Sequence, residues 1–284
     1  MRAIWKWTNI STSDHSIGKD GEYMGNNILI LTCSRRGTAS RCLPSLVAAG
    51  ASVCGVVYAK SAGGNRRKAL WRTFKKILKI GVFGALNGRR MRKWYSAPTD
   101  DIADVCAKFN LPYFEVEGLN TDETVSLFKR LSPDLGVSLG NGFISPRVFE
   151  IPRLGMINLH TEVLPAYQNA SSIIWPIFCN DPYTGYTIHE IVRKIDAGRI
   201  LLQRRYPIEF CQTLEGTVRR NKAITDSKYP TDVAYVVAHI EELKETAQTQ
   251  AGGGHYTTPS FFQFLKMVLN NRRFFRKSRT ESVG

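Results

Sequence analysis

The chain has 284 residues, 43% of them hydrophobic, enough to bury the core of one large α/β domain and too many for a disordered chain. Its formal net charge is +15, and no Asp or Glu occurs between Glu22 and Asp100, so something acidic (lipid, phosphate or nucleic acid) is expected near that surface. The six cysteines (Cys33, Cys42, Cys54, Cys106, Cys179 and Cys211) form no Cys-x-x-Cys pair and no Cys/His spacing of a zinc site, so reduced thiols and no metal are expected.

Residues 1–25 are polar and without periodicity, and read as a tail. They hold no apolar signal-peptide core, and the chain has no run of roughly eighteen apolar residues, which points to a cytoplasmic protein. The run 27–33 has strand length and composition. A Gly-containing turn over 34–40 leads into an apolar helix ending near Gly50, and 52–58 reads as a second strand. This order predicts a right-handed βαβ unit in a parallel sheet. After a basic stretch the alternation resumes with a helix over 99–109, a strand over 113–116, a helix over 122–131 and a strand over 134–139. Further strands are predicted at 155–160, 186–191 and 200–207, and a helix over 231–248 that is broken by Gly252-Gly253-Gly254. The fold class is therefore α/β: a Rossmann-like, doubly wound, mostly parallel sheet with a basic helical insertion and a helical C-terminal extension. The expected domains are a tail at 1–25, a catalytic domain at 26–210 with the insertion at 60–98, and an extension at 211–284 with a basic aromatic end.

Asn158 and His160 stand two positions apart on a predicted strand and share one side of it. Asp196 precedes a strand in an Asp-x-Gly turn. Taken alone, such residues more often satisfy local hydrogen bonds than catalyse. Their surroundings are more specific. Ser132-Pro133-Asp134 with Val137-Ser138-Leu139-Gly140, then Gly142-Phe143-Ile144-Ser145-Pro146, then Asn158-x-His160 with Leu164-Pro165, and Thr184 to His189 ahead of Asp196, occur in an order that resembles the folate-dependent formyltransferases.

The resemblance implies the formyltransferase fold over 26–210 and transfer of a formyl group from 10-formyltetrahydrofolate to an amine. It implies Asn158, His160 and Asp196 as catalytic residues: Asn158 and His160 to stabilise the growing oxyanion, Asp196 to orient the imidazole and relay the amine proton. It implies a folate pocket formed by Asn141, Gly142, Phe143 and Ile144 with the turn at Ile195 and Asp196. Acceptors in the family are commonly phosphorylated, so the turn with Arg35, Gly37 and Thr38 reads either as a phosphate site or as a plain solvated turn. Thr161-Glu162 replaces the family's Pro-Ser, and Asn169 replaces a Gly beside Gln168. These changes fall in the loop that flanks the incoming amine, which puts Gln168 and Asn169 on the acceptor side. His189 reads equally as a residue near the folate and as packing.

A 25-residue head is shorter than the regulatory domain of the deformylases that resemble the same core. The tail lacks the alternating strands of the β-barrel that methionyl-tRNA formyltransferases carry. The leading acceptor expectation is therefore a nucleotide-linked aminosugar, with glycinamide ribonucleotide as the alternative. Two other classes remain: a catalytically silent basic binding module, disfavoured by the intact triad, and a nucleic-acid-binding protein, for which no recognisable motif exists. Finally, Leu70, Trp71, Phe74, Ile77 and Leu78 recur at helical spacing among lysines and arginines, and 261–277 repeats that chemistry. Peripheral contact with an anionic membrane, at its inner face, is expected from it; packing of the stripe on the domain is the alternative.

Overall fold

The computed structural model describes residues 26–60, 71, 80, 81 and 84–281. The tail at 1–25 and the stripe residues Leu70, Phe74, Ile77 and Leu78 lie outside the described residues. Strand β1 (Ile28–Thr32) is wholly buried and is hydrogen-bonded in parallel to β2 (Val53–Ala59) on one side and to β4 (Leu135–Ser138) on the other. With β3 (Tyr113–Val116), β5 (Met156–His160), β7 (Tyr183–Glu190) and β8 (Ile200–Pro207) the sheet has seven strands in the order β3-β2-β1-β4-β5-β7-β8. The first five are parallel, and β7 runs antiparallel to both β5 and β8. The strand order reverses between β1 and β4, so a crevice opens beyond their carboxyl ends, where ligands bind in sheets of this kind.

Period-2 alternation sends Ile28 and Ile30 to one face and Leu29 and Leu31 to the other. The first face is covered by α1 (Thr38–Ala48), α3 (Ile102–Lys108) and α7 (Leu214–Ala238), the second by α4 (Asp122–Leu131) and α5 (Pro146–Phe149). The sheet is thus doubly wound, as expected. Helix 99–109 is shorter than its apolar pattern because Asp101 caps it, accepting from Ala103 N–H at 3.1 Å. In α4, Thr121 is the N-cap, Asp122 and Glu123 occupy the first turn, and Lys129 and Arg130 the last, which complements the helix dipole.

The largest departure is α7. A helix was expected from 231, yet it begins at Leu214 and runs through Pro230 to Ala238, followed by α8 (Ile240–Glu245). Polar residues on its buried face hide its periodicity: Thr217, Asn221 and Thr225 are all buried. Asn221 Nδ2 donates to Glu209 O and to Thr217 O, each at 2.8 Å, and Thr225 Oγ1 donates to Asn221 O at 2.8 Å. Tyr229, Val233 and Val237 then enter the same core as β1, so the helix is part of the sheet's covering layer although it follows residue 210.

A third core lies outside the sheet. Residues 84–94 are helical (α2), and Met91 and Trp94 pack with Trp175 and Ile177 of α6 (Ile174–Phe178) and with Met267 of α9 (Phe261–Glu281). Trp94 and Trp175 are 3% and 2% exposed, and each such burial contributes on the order of 2–3 kcal/mol. Part of the basic insertion is thereby packed on the body, and C-terminal helix α9 is anchored beside it. A two-stranded ladder joins β6 (Tyr167–Gln168) in parallel to β9 (Gly254–His255).

Candidate active site

Strand β5 supplies the first two polar groups. Asn158 and His160 flank buried Leu159 and share a side of the strand. Ser138, in register with Asn158 on β4, donates its hydroxyl to Asn158 Oδ1 at 3.0 Å. Asn141 Nδ2 in turn donates to Leu31 O at 2.6 Å and to Ser138 Oγ at 3.0 Å. On the other flank β7 brings His189 into register with Asn158. His189 Nδ1–H donates to Glu190 O at 2.8 Å, so its Nε2 accepts from Asn158 Nδ2 at 3.2 Å. Burial holds the His189 imidazole below its ordinary pKa, outweighing the Glu190 carbonyl and the Asp196 charge, which act in the opposite sense. A neutral His189 thus fixes the Asn158 amide, occupies one of its two N–H bonds and leaves the second as a donor at the cavity wall.

Asp196 arrives on the loop between β7 and β8, with a left-handed backbone at φ 52°. Its Oδ2 accepts from Asn169 N–H at 2.8 Å, and its carbonyl accepts from Gln168 Nε2 at 3.2 Å. Two features close the base of this loop. Arg199 grips Glu190 with two bonds of 2.6 and 2.8 Å, and Gly198 packs so tightly that a Cβ there would lie 1.8 Å from Glu190 O. The Asp196 carboxylate stands between two imidazoles, with Oδ2 3.6 Å from His160 Nδ1 and Oδ1 3.7 Å from His189 Nε2. His160 Nε2–H donates to Tyr167 O at 2.8 Å, which leaves Nδ1 on the Asp196 side.

These groups line one end of a cavity of about 340 Å³ beyond the carboxyl ends of β4 and β5. Asn141, Gly142, Phe143 and Ile144 form one wall, Ile191, Val192 and Ile195 another, and the lining holds no Lys or Arg. A second cavity, of about 570 Å³, adjoins it across Thr38 and Gly140. Arg36, Arg41 and Lys222 line it, with Gly37, 95–99 and Tyr229, and none of its lining residues is acidic. Asp226 sits behind this wall, 3.4 Å from Arg41 Nε and bonded to Lys222.

The formyl transferase family model matches residues 86–233, just over half of the chain, and that stretch contains Asn158, His160 and Asp196. The chain belongs to the formyl transferase family. A methionyl-tRNA formyltransferase of Thermotoga maritima is 30% identical over 142 residues, which are 50% of this chain and 45% of the relative. The chain spans between a third and a half of the length of the relatives it matches. Its fold resembles that of glycinamide ribonucleotide transformylase 1 from Symbiobacterium toebii, with a TM-score of 0.52 and 14% identity over 80% of this chain and 93% of that one. A sugar N-formyltransferase from a Shewanella species has a TM-score of 0.50 and 16% identity, covering 87% of each chain.

Within this formyl transferase fold, Asn158, His160 and Asp196 come together although 36 positions separate the last two, and Asn141 to Ile144 and Ile195 share their cavity. Asn169 lines the same cavity. Gln168 is buried, and its side chain is spent on the Asp196 carbonyl. Thr38 lines both cavities and Gly37 the second. Arg35 lines neither: it is bonded to Glu115 at 2.5 Å and lies over the Tyr58 ring, and its neighbour Arg36 takes the cavity position together with Arg41. Four residues carry weight that sequence reasoning did not assign. His189 and Ser138 orient Asn158, and Arg41 and Lys222 meet only because α1 and α7 pack together. Glu162 is a fifth case. It is wholly buried and accepts from Val163 N–H at 3.1 Å, Ile173 N–H at 2.7 Å and Thr184 Oγ1 at 3.0 Å, so the departure from the family's Pro-Ser serves to fold the loop over 161–173. Among the described residues no group of His, Cys, Asp and Glu can hold a metal ion, and no described helix is long and apolar enough to cross a membrane.

Proposed function

We propose that this chain transfers a formyl group from 10-formyltetrahydrofolate to a primary amine. The reading is carried by the convergence of Asn158, His160 and Asp196 on one end of a cleft whose other lining combines apolar side chains such as Phe143, Ile191 and Ile195 with uncharged polar ones such as Thr38, Asn141 and Asn169. The residues fit a folate. Phe143, Val192 and Ile195 stay 51%, 40% and 45% exposed at the mouth, an apolar rim for a flat ring, and buried Asn141 Oδ1 has no donor among the described residues, an acceptor for a ring N–H. The folate supplies the activated formyl group. The free N–H of Asn158 is positioned as a donor to the oxygen on which charge grows. His160, whose Nε2–H is held by Tyr167 O, presents its Nδ1 lone pair beside Asp196; the carboxylate takes up the proton that the attacking amine sheds, directly or through water, and that proton passes to the folate nitrogen as its bond to the formyl carbon breaks.

The acceptor proposed is an amine that carries phosphate, since the adjoining cavity is lined by Arg36, Arg41 and Lys222 and the Gly37 turn opens α1 there. A nucleotide-linked aminosugar is the leading acceptor and glycinamide ribonucleotide the alternative. The test is release of tetrahydrofolate by purified protein with 10-formyltetrahydrofolate and, in turn, nucleotide-linked aminosugars, glycinamide ribonucleotide and methionyl-tRNA. Release with one acceptor that disappears in His160→Ala supports the reading; no release with any, or release that survives the substitution, overturns it.

A peripheral contact with anionic membrane is favoured by one further observation. On α9, Phe262, Leu265 and Leu269 follow one another at helical spacing, 78%, 43% and 55% exposed, and Arg272 and Arg276 continue the same face. Flotation with anionic vesicles at low salt tests it. Flotation lost in Phe262→Ser/Leu265→Ser supports the contact, and a protein that ignores the vesicles refutes it.

A further inference from the structure

The segment 248–256, between α8 and α9, touches both loops that hold the catalytic pair. At one end Gln248 and Ile200 exchange backbone hydrogen bonds of 2.8 and 3.0 Å, and Gln250 Nε2 donates to Gly198 O at 2.6 Å. Both contacts fall just beyond Asp196, at Gly198 on the loop that presents it and at Ile200 where β8 begins. At the other end β9 lies along β6: Gly254 N–H donates to Ala166 O at 3.3 Å and Tyr256 N–H to Gln168 O at 3.0 Å. Those bonds bracket Tyr167, whose carbonyl holds His160 Nε2, and precede Asn169, whose N–H holds the Asp196 carboxylate.

The backbone between the two ends is shaped for this crossing. Gly252 and Gly253 have φ of 72° and 114°, and a Cβ on Gly253 would lie 2.3 Å from Pro165 O, a backbone atom that cannot step aside as a side chain would. Beyond the crossing, the Tyr256 ring packs against Trp175 and Tyr167 with centroids 4.6 and 5.7 Å apart, which ties the segment to the third core.

We infer that segment 248–256 is a positioning strap that sets the separation of His160 and Asp196, with Gln250 and Gly253 as its positioning residues. It acts through other groups. The Asp196 loop and the loop over 164–169 are otherwise joined to each other through the Asn169 and Gln168 bonds to Asp196. The strap adds a second, independent tie, so relaxing it lets His160 and Asp196 drift apart while the fold stands. A misplacement of about 1 Å in such a pair costs on the order of a hundredfold in rate, and a partial release correspondingly less.

The inference rests on the catalytic reading of His160 and Asp196, so its test carries a readout that needs no substrate. In the full chain, Gln250→Ala removes the donor to Gly198 O, Gly253→Val obstructs the approach to Pro165, and Thr249→Ala alters an exposed strap residue whose side chain holds neither loop. The ring nitrogens of His160, observed by NMR in labelled protein, report the bond to Tyr167 O and the proximity of Asp196. Gln250→Ala is expected to move these resonances, to lower kcat about tenfold with KM for the folate unchanged, and to displace the pH profile of kcat. Thr249→Ala is expected to do none of these, and thermal unfolding of both variants to stay near wild type. If Gly253→Val fails to fold, Gln250→Ala decides alone. Unmoved His160 resonances in a folded Gln250→Ala protein would overturn the inference even if the chain shows no transferase activity, and moved resonances support it in either case.

Discussion

Two clefts meet at Thr38 and Gly140, and they are made of different material. The first holds Asn158, His160, His189 and Asp196 among apolar and uncharged polar side chains and contains no Lys or Arg; the second holds Arg36, Arg41 and Lys222 and contains no His or acid. The first is built by strand ends, where register fixes side chains to within the tolerance chemistry requires. The second is built where a turn, α1 and α7 come together, with long flexible cations suited to holding charge and indifferent to small displacements. Under the proposed function this difference is a division of labour: bond-making in the cleft that holds Asp196 and no cation, and recognition of an anionic handle in the cationic one.

That division can be broken most decisively at the first cleft. His160→Ala and Asp196→Asn are each expected to lower kcat about a hundredfold or more, with acceptor KM nearly unchanged and circular dichroism native. Steady-state kinetics on the true acceptor checks it, and wild-type turnover in either variant removes chemistry from this cleft. At the second cleft, Arg36→Gln is expected to raise acceptor KM about tenfold with kcat little changed, and to weaken the salt dependence of KM. If kcat falls instead, the two clefts are one site and the comparison fails.

The loop over 161–173 joins the clefts: Asn169 and Ala170 wall the first, while Tyr95, which lines the second, donates to Ser172 O at 2.6 Å. Glu162 anchors this loop, and burial pushes its carboxyl up to about 8 against its hydrogen-bond donors. Between the ordinary carboxylate range and pH 8 the folded chain therefore keeps a proton that the unfolded chain has released. Stability is full below that range and falls as pH rises through it, by on the order of 1–3 kcal/mol. Urea unfolding from pH 5 to 8 is expected to show the fall, and Glu162→Gln to flatten it. The smallest effect is expected at His189. Its imidazole titrates below the unfolded value, so the unfolded chain binds the proton first and stability drops as pH falls below about 6.5. His189→Phe should reduce that acid slope by about 1 kcal/mol or less, and, with the Asn158 amide released, lower kcat about tenfold.

Much of the fold was legible because its signals are local. Buried parallel strands such as Ile28–Thr32 read as apolar runs, and the ends of α4 read from Thr121 and from charges at each terminus. Helix α7 was half missed because Thr217, Asn221 and Thr225 satisfy one another inside the core, and burial of a bonded polar group leaves no apolar period to detect. In the site, the two-residue spacing showed only that Asn158 and His160 share a side of one strand; their grouping with Asp196 came from the resemblance carried by the order of the surrounding motifs. The choice of Arg36 over Arg35 was not, since adjacent residues on a turn differ only in where the backbone aims them, and Glu115 had to be placed before Arg35 could be seen to be engaged.

The sequence by itself determined the strands and their alternation with helices, which are written in periodicity, while the family and the three polar residues were reached through the resemblance that the ordered motifs carry. Tertiary structure alone decided which of two equivalent-looking arginines faces a cavity, that His189 is a neutral acceptor orienting Asn158, and that a glycine-rich crossing near the C-terminus ties together the loops of His160 and Asp196. Those outcomes depend on distances between residues tens of positions apart, and such distances exist only once the burial of the three cores has brought the loops together.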